Sequence, residues 1–419
     1  MDKRVLKLGR HAGENGLAFL KWVVFSCLIG LIVGAVGSVF HHGIELATEV
    51  RARHDWIIWL LPLAGVCIAQ IYKVCGMERD QGTNFIITSV RENTIIRLRT
   101  APLIIVATIL THLTGGSAGR EGAALQMGGA LSGRIGRWMK LDEMDERIIT
   151  MSGMAAAFSA LFGTPLAAAM MSMEVVSVGR LYYAAIVPCT LSALIAQLVA
   201  GQSGIVPTTF QVEAVPELSA ASLVRCLLLG VLCALLSMLF CVILHTGSHL
   251  YSQVTSNQTL RALLGGVLVL GLTLLLGVRD YNGAGMEVIH RAVAGEARPE
   301  AFLLKMLFTA LTLCAGFKGG EIVPAFFTGA TFGCVAGPLL GLPASFAASA
   351  GMVAVFCGVT NCPLTSILLA YELFGGTGLP VYAMVIAVSY MLSGYYGLYT
   401  EQIIVYSKLR LEFVDAKTK

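Results

Sequence analysis

The chain has 419 residues, 56% of them hydrophobic and 13% charged, where an ordinary soluble domain carries ~25% charge. That balance excludes soluble nucleotide-binding enzymes, disordered scaffolds and secreted disulfide modules, and it leaves a polytopic α-helical membrane protein. The formal net charge of +4 sits at the edges of apolar segments, where Lys and Arg report orientation, so no nucleic-acid partner is expected.

The N-terminal MDKRVLKLGRHAGENG is basic, and the apolar run behind it is longer than a signal-peptide core and lacks a small-residue cleavage pattern. It reads as a cytoplasmic segment ahead of a retained first span, Phe19 to Phe40. Lys3, Arg4, Lys7 and Arg10 predict, by the positive-inside rule, that both termini of this multi-pass cell-membrane protein are cytoplasmic. Further stretches that meet or approach the ~20 apolar residues of a span are Trp56 to Ile71, Ile148 to Met173, Leu223 to Leu244, Leu260 to Leu276 and Leu379 to Leu392. Most of the eleven cysteines lie inside apolar runs with no C-x-x-C pair, and read as small hydrophobes. Neither H-E-x-x-H nor a Cys/His cluster occurs, so neither a metal nor a cofactor is expected.

The chain repeats itself. Gly115 to Gly133 (GGSAGREGAALQMGGALSG) matches Ala315 to Gly333 (AGFKGGEIVPAFFTGATFG) at a constant offset of 200 residues. Ser152 to Glu174 is answered by Ala350 to Glu372 at an offset of 198. The expected division is a cytoplasmic segment 1–16, a first transmembrane repeat 17–205, a linker 206–217, a second repeat 218–400 and a cytoplasmic tail 401–419.

At matching places in the two halves, around Gly119 to Gly122 and Gly319 to Pro324, an apolar segment is broken by glycine and charge. Broken helices so placed point to a transporter's midplane site, where glycines turn backbone N–H groups toward a ligand and the next helix presents its positive end. Glu121 is the leading functional candidate, because a carboxyl inside an apolar segment is costly to keep there. It can stand in for an anion when charged and carry a proton when neutral; the competing reading is a structural pair with Arg120. Glu321 repeats Glu121, with a helix N-cap carboxylate or a pair with Lys318 as alternatives. Glu174 and Glu372, each nine residues after a repeated proline, read as caps of cytoplasmic helix ends or as holders of loop backbone. Paired aspartates and a metal motif are both absent, which argues against an intramembrane enzyme.

These residues resemble the CLC family of anion channels and proton-coupled anion transporters, over nearly the whole chain. Gly119-Arg120-Glu121-Gly122 matches the family's Gly-Arg/Lys-Glu-Gly signature, and the resemblance makes Glu121 the external gating glutamate. It also implies an all-α polytopic fold of two inverted-topology repeats, with broken helices meeting at a midplane anion site, assembled as a homodimer with one pathway per subunit in the lipid bilayer. Leu398-Tyr399-Thr400 looks like the segment whose Tyr hydroxyl coordinates the central anion.

Where chloride-type members have Gly-Ser-Gly-Ile-Pro, this chain has Gly82-Thr83-Asn84-Phe85-Ile86. Where they have Gly-x-Phe-x-Pro, it has Gly320-Glu321-Ile322-Val323-Pro324. The latter resembles the bacterial fluoride/proton antiporter branch, which often has Thr where Val323 stands. Val175 occupies the place of the internal proton glutamate of chloride/proton exchangers. The resemblance therefore implies exchange of a halide, expected to be fluoride, for protons, with a chloride channel or chloride/proton exchanger of the same fold as the alternative. The expected gating and proton residues are Glu121 and Glu321. The expected anion-binding residues are Gly82, Thr83, Gly119, Arg120, Gly122, Gly320, Ile322, Val323 and Tyr399.

Overall fold

The computed structural model describes residues 3–78, 80–92 and 94–419, with side chains from Gly13 onward. The basic side chains of Lys3, Arg4, Lys7 and Arg10, on which the orientation was argued, lie outside the described residues. The first half holds α1 (Lys3–Arg53), α2 (Leu61–Val74), α3 (Thr83–Glu92), α4 (Thr100–Thr114), α5 (Glu121–Trp138), α6 (Glu143–Phe162), α7 (Pro165–Glu174) and α8 (Ile186–Gln202). The second holds α9 (Ala220–Val254), α10 (Gln258–Leu276), α11 (Met286–Val293), α12 (Ala301–Leu313), α13 (Ile322–Leu339), α14 (Ala344–Thr360), α15 (Pro363–Phe374) and α16 (Leu379–Leu392).

Local chemistry explains the boundaries. Asp142 Oδ1 accepts the Asp145 amide at 2.9 Å to open α6, and Ser219 and Ser222 form a reciprocal capping box ahead of α9. Gly115, Gly163 and Gly277 close α4, α6 and α10 in the left-handed conformation. Among the described residues, six helices are long and apolar enough to cross a membrane. Their large apolar side chains point outward, as at Val224 (58% exposed) and Leu235 (54%) on α9, an arrangement stable in lipid and costly in water.

Small residues are frequent where helices cross in the interior. From Ser345 to Thr360 every residue of α14 is buried, and a methyl group added to Gly329 of α13 would collide with the Gly351 carbonyl of α14. Gly128 of α5 meets the Gly153 carbonyl of α6 in the same way, so both halves contain glycine-mediated helix crossings.

Glu174, at the end of α7, accepts the Leu364 and Thr365 amides at 3.1 and 2.9 Å and the Thr365 hydroxyl at 2.7 Å, capping α15. Glu372, at the end of α15, accepts the Leu166 and Ala167 amides at 2.8 and 2.9 Å, capping α7. Helices that cap each other's starts run antiparallel, as inverted repeats require. The two glutamates consequently stand at opposite ends of this antiparallel helix pair, so they cannot both cap ends on one side, which corrects the expectation that both cap cytoplasmic ends.

The C-terminal tail adds a three-stranded sheet to the helical fold. β1 (Ser177–Val178) pairs in parallel with β2 (Ile403–Tyr406), which pairs antiparallel with β3 (Phe413–Lys417). Arg91 of α3 donates to the Glu401 carbonyl, and Lys21 of α1 pairs with Asp145 in the first turn of α6. These contacts define the tail end of the bundle; the far end of α1, at Arg51, lines a vestibule at the other.

Replacing Glu174 by Ala is expected to leave two α15 amides and the Thr365 hydroxyl unpaired and to cost about 1–3 kcal/mol. Glu372→Ala acts on the other end of the pair, so the losses should add in the double variant, as read by thermal unfolding in detergent.

Candidate ion pathway

The loops preceding α5 and α13 cross at one point. The Gly119 amide donates to the Gly320 carbonyl at 2.7 Å, and the Gly320 amide donates back to the Gly119 carbonyl at 2.8 Å. The approach is too close for side chains: a methyl on Gly320 would lie 2.6 Å from the Gly122 nitrogen, and one on Gly319 would lie 2.5 Å from Ala118 Cβ. Two helix N-termini are thereby held side by side in the middle of the protein, and their positive ends converge.

This crossing redistributes the expected donors. The Gly119 and Gly320 amides, expected to face the anion, are bonded to each other. The first main-chain bonds of the helices are Ala124 N–H to Arg120 and Ala325 N–H to Glu321, so the Gly122, Ile322 and Val323 amides precede the helical ladders and have no intrahelical acceptor.

Glu121 is 1% exposed. Its Oε2 accepts the Arg120 amide at 3.0 Å, while Oε1 has no hydrogen-bond partner among the described residues and lies 3.7 Å from Arg120 Nε. A methyl on Gly119 would fall 3.0 Å from Glu121 Oε2 and 3.1 Å from Val323 Cβ, which fixes the carboxylate between the two helix starts. The pairing with Arg120 is thus present but loose, and the guanidinium also donates to the Leu161 carbonyl at 3.2 Å. Glu121 and Val323 form the floor of the vestibule, a cavity of about 670 Å³ whose walls include Arg51, His112, Arg120 and Asn282.

Glu321 faces the other side of the crossing. A methyl on Gly122 would sit 3.3 Å from its Oε2 and 3.5 Å from Thr83 Oγ1. Glu321 occupies the N-cap position of α13 without making a capping bond, and Oε2 has no partner among the described residues. Lys318, the other proposed partner, bonds Asp80 instead, at 3.1 Å. Neither a capping bond from Glu321 nor an ion pair with Lys318 is present among the described residues.

The remaining expected residues gather on the Glu321 side. The buried Thr83 hydroxyl donates to the Gly122 carbonyl at 3.3 Å and accepts from Gln126 Nε2 at 3.2 Å, and Gly82 makes the turn ahead of it at φ +62°. Tyr399 is 2% exposed and its hydroxyl has no partner among the described residues. Its main chain is pinned by the tail, since the Thr418 hydroxyl donates to the Tyr399 carbonyl at 2.6 Å.

Two polar residues here were missed from the sequence. Gln126 is buried with its Oε1 unpartnered; the signal was a lone amide in α5, where the repeat has Phe326. Lys305 is fully buried in the apolar α12 and donates to the Tyr281 and Gly283 carbonyls at 3.2 and 2.7 Å, holding the turn beside the vestibule.

The family model described as voltage gated chloride channel matches residues 64–394. The chain belongs to this family, the CLC proteins. Family members are channels and transporters of ions, not enzymes. A chloride/fluoride channel protein of Pseudomonas syringae pv. tomato is 36% identical over 93% of this CLC chain and 87% of its own. An H(+)/Cl(-) exchange transporter ClcA of Vibrio cholerae is 27% identical over 83% of this chain and 81% of its own. Among solved structures, a CLC-type fluoride/proton antiporter superposes with a TM-score of 0.88 at 31% identity, covering 91% of this chain and 98% of its own. A slow cyanobacterial Cl-/H+ antiporter shares the CLC fold with a TM-score of 0.75 at 19% identity, covering 89% and 94%.

Gly320→Ala is expected to force the crossing apart and abolish anion efflux from proteoliposomes, with a lower yield of folded protein. Gly201→Ala, where the added methyl meets nothing within 4 Å, should leave both unchanged.

Proposed function

We propose that the protein exchanges fluoride for protons across the membrane. The observation that carries this reading is the pair of carboxylates, Glu121 and Glu321, each with an unpartnered oxygen, on opposite sides of one crossing of two helix N-termini. Charged Glu121 sits where the converging positive ends would hold an anion, and so acts as its surrogate. Protonation removes that attraction, the side chain yields its place, and an anion from the vestibule takes it. Glu321 stands next on the path toward the tail end, with Thr83 and Tyr399 beside it.

Fluoride is small and strongly hydrated, so its site must replace water by hard donors, as selectivity filters replace hydration shells. The Gly122, Ile322 and Val323 amides with the Thr83 and Tyr399 hydroxyls are a suitable set. Arg120 and Gly82 act indirectly, Arg120 by opposing the Glu121 charge and Gly82 by shaping the turn that carries Thr83. The similarity to a chloride/fluoride channel protein and to a fluoride/proton antiporter supports the same ion. Val323, which has no hydroxyl, is what favours the alternative of a chloride channel or chloride/proton exchanger. We further propose that the repeats divide at residues 206–217, that the tail end with both termini faces the cytoplasm, and that the protein works in the cell membrane as a homodimer with one pathway per subunit.

Fluoride efflux from proteoliposomes recorded together with external pH tests the reading. The wild type should release fluoride faster than chloride and move protons against it; chloride efflux as fast as fluoride efflux would overturn the selectivity. Glu121→Gln, isosteric but unable to change charge, should reduce proton movement at least about 100-fold. Val323→Thr should shift the efflux ratio further toward fluoride by adding a hydroxyl donor.

A further inference from the structure

The proton that leaves Glu121 must also cross to the tail end, and the obvious carboxylate there is committed elsewhere. Glu174 accepts three hydrogen bonds as the cap of α15, and the following residue is Val175, which carries no proton. Glu321, by contrast, has an unpartnered Oε2 and begins α13 only three residues after Lys318.

Lys318 reaches toward the tail end. Its ammonium lies 3.1 Å from Asp80 Oδ2 and 4.4 Å above the ring of Tyr72, whose hydroxyl is buried and has no partner among the described residues. The Asp80 side chain is only 4% exposed, yet it borders two cavities. One, of about 220 Å³, is shared with Tyr72, Glu78, Arg261, Cys314 and Lys318; the other, of about 400 Å³, is shared with Thr94 and Arg97. Both lie at the end of α2 remote from the vestibule, because Asp55, just ahead of α2, borders the vestibule, whereas Tyr72 lies in its last turn.

We propose that the Asp80–Lys318 pair is the tail-end proton relay to Glu321. The inference rests on the halide/proton exchange reading and adds the route by which protons reach the second carboxylate. An ammonium paired with a buried carboxylate has no net charge with which to hold a halide, so the pair suits a proton better than an anion. The unpartnered Tyr72 hydroxyl and Glu321 Oε2 distinguish it from a closed structural ion pair, in which every polar atom is satisfied.

The relay conserves protons and charge. Asp80 takes a proton from cavity water, which breaks its ion pair with Lys318. The freed ammonium turns to Glu321 and transfers one N–H proton to the carboxylate, becoming a neutral amine. The Asp80 O–H proton then passes to that amine and the ion pair reforms. One proton has moved from the cavity to Glu321.

The full-length protein in fluoride-loaded proteoliposomes tests this, with fluoride and proton fluxes recorded together for the wild type, Asp80→Asn, Asp80→Glu and Lys318→Met. Asp80→Asn and Lys318→Met should each lower the proton-to-fluoride ratio at least about tenfold while fluoride still moves, and Asp80→Glu should keep the wild-type ratio. A merely structural pair would lower both fluxes together and leave the ratio unchanged, which overturns the proposal. If Asp80→Asn does not fold, Lys318→Met decides by the same ratio. A wild type that moves fluoride without protons overturns the exchange reading and the relay with it, whereas a coupled wild type with coupled variants overturns the relay alone.

Discussion

Two peptide groups, those of Gly119 and Gly320, hydrogen-bond to each other across 200 residues of chain, and the pathway is organised around that reciprocal pair. It satisfies backbone that would otherwise be unpaired at membrane depth, a condition non-helical segments must meet to exist there. It also brings the starts of α5 and α13 so close that only glycine fits between them. Converging helix starts create positive potential at the centre, where the Glu121 and Glu321 carboxylates sit. The glutamate that follows each glycine loop is then directed to one side of the crossing or the other.

The surrounding architecture serves to hold this crossing in place. Small residues let α5 approach α6 and α13 approach α14 at backbone distance, and packing of that kind substitutes for the hydrophobic effect, which is weak between helices in lipid. The mutual caps of Glu174 on α15 and Glu372 on α7 tie the halves together at both ends of the bundle. Each carboxylate meets the positive start of a helix and two of its amides, so both stabilise the fold. Glu121 and Glu321 differ in having one oxygen each without a partner among the described residues, and that difference separates the capping pair of glutamates from the pair proposed to carry protons.

The two ends of the pathway are built differently. The vestibule is wide and lined by charges of both signs, among them Arg51, Asp55, Arg120 and Glu287. The tail end is closed by the C-terminal hairpin, which joins β1 and bonds directly to the main chain of Tyr399. A residue beyond the last membrane helix thus sets the position of a hydroxyl deep in the protein.

Much of this was legible in the chain itself: the membrane class, the repeated blocks, the breaks at Gly119 and Gly319, and the placement of Glu121 and Glu321. Those features are local, because composition, spacing and a costly buried carboxyl need no knowledge of partners. The antiparallel course of the halves was implied by family resemblance and became physical only in the exchange of caps between α7 and α15. Tertiary structure alone decided which group each polar atom meets. It assigned the Gly119 and Gly320 amides to each other, turned Lys318 toward Asp80, put Gln126 beside Thr83, and separated Glu174 from Glu372 by the length of a helix pair. The reason is geometric: a hydrogen bond is set within tenths of an ångström by how two distant backbones approach, and that approach depends on packing of residues hundreds of positions apart, which no local pattern records.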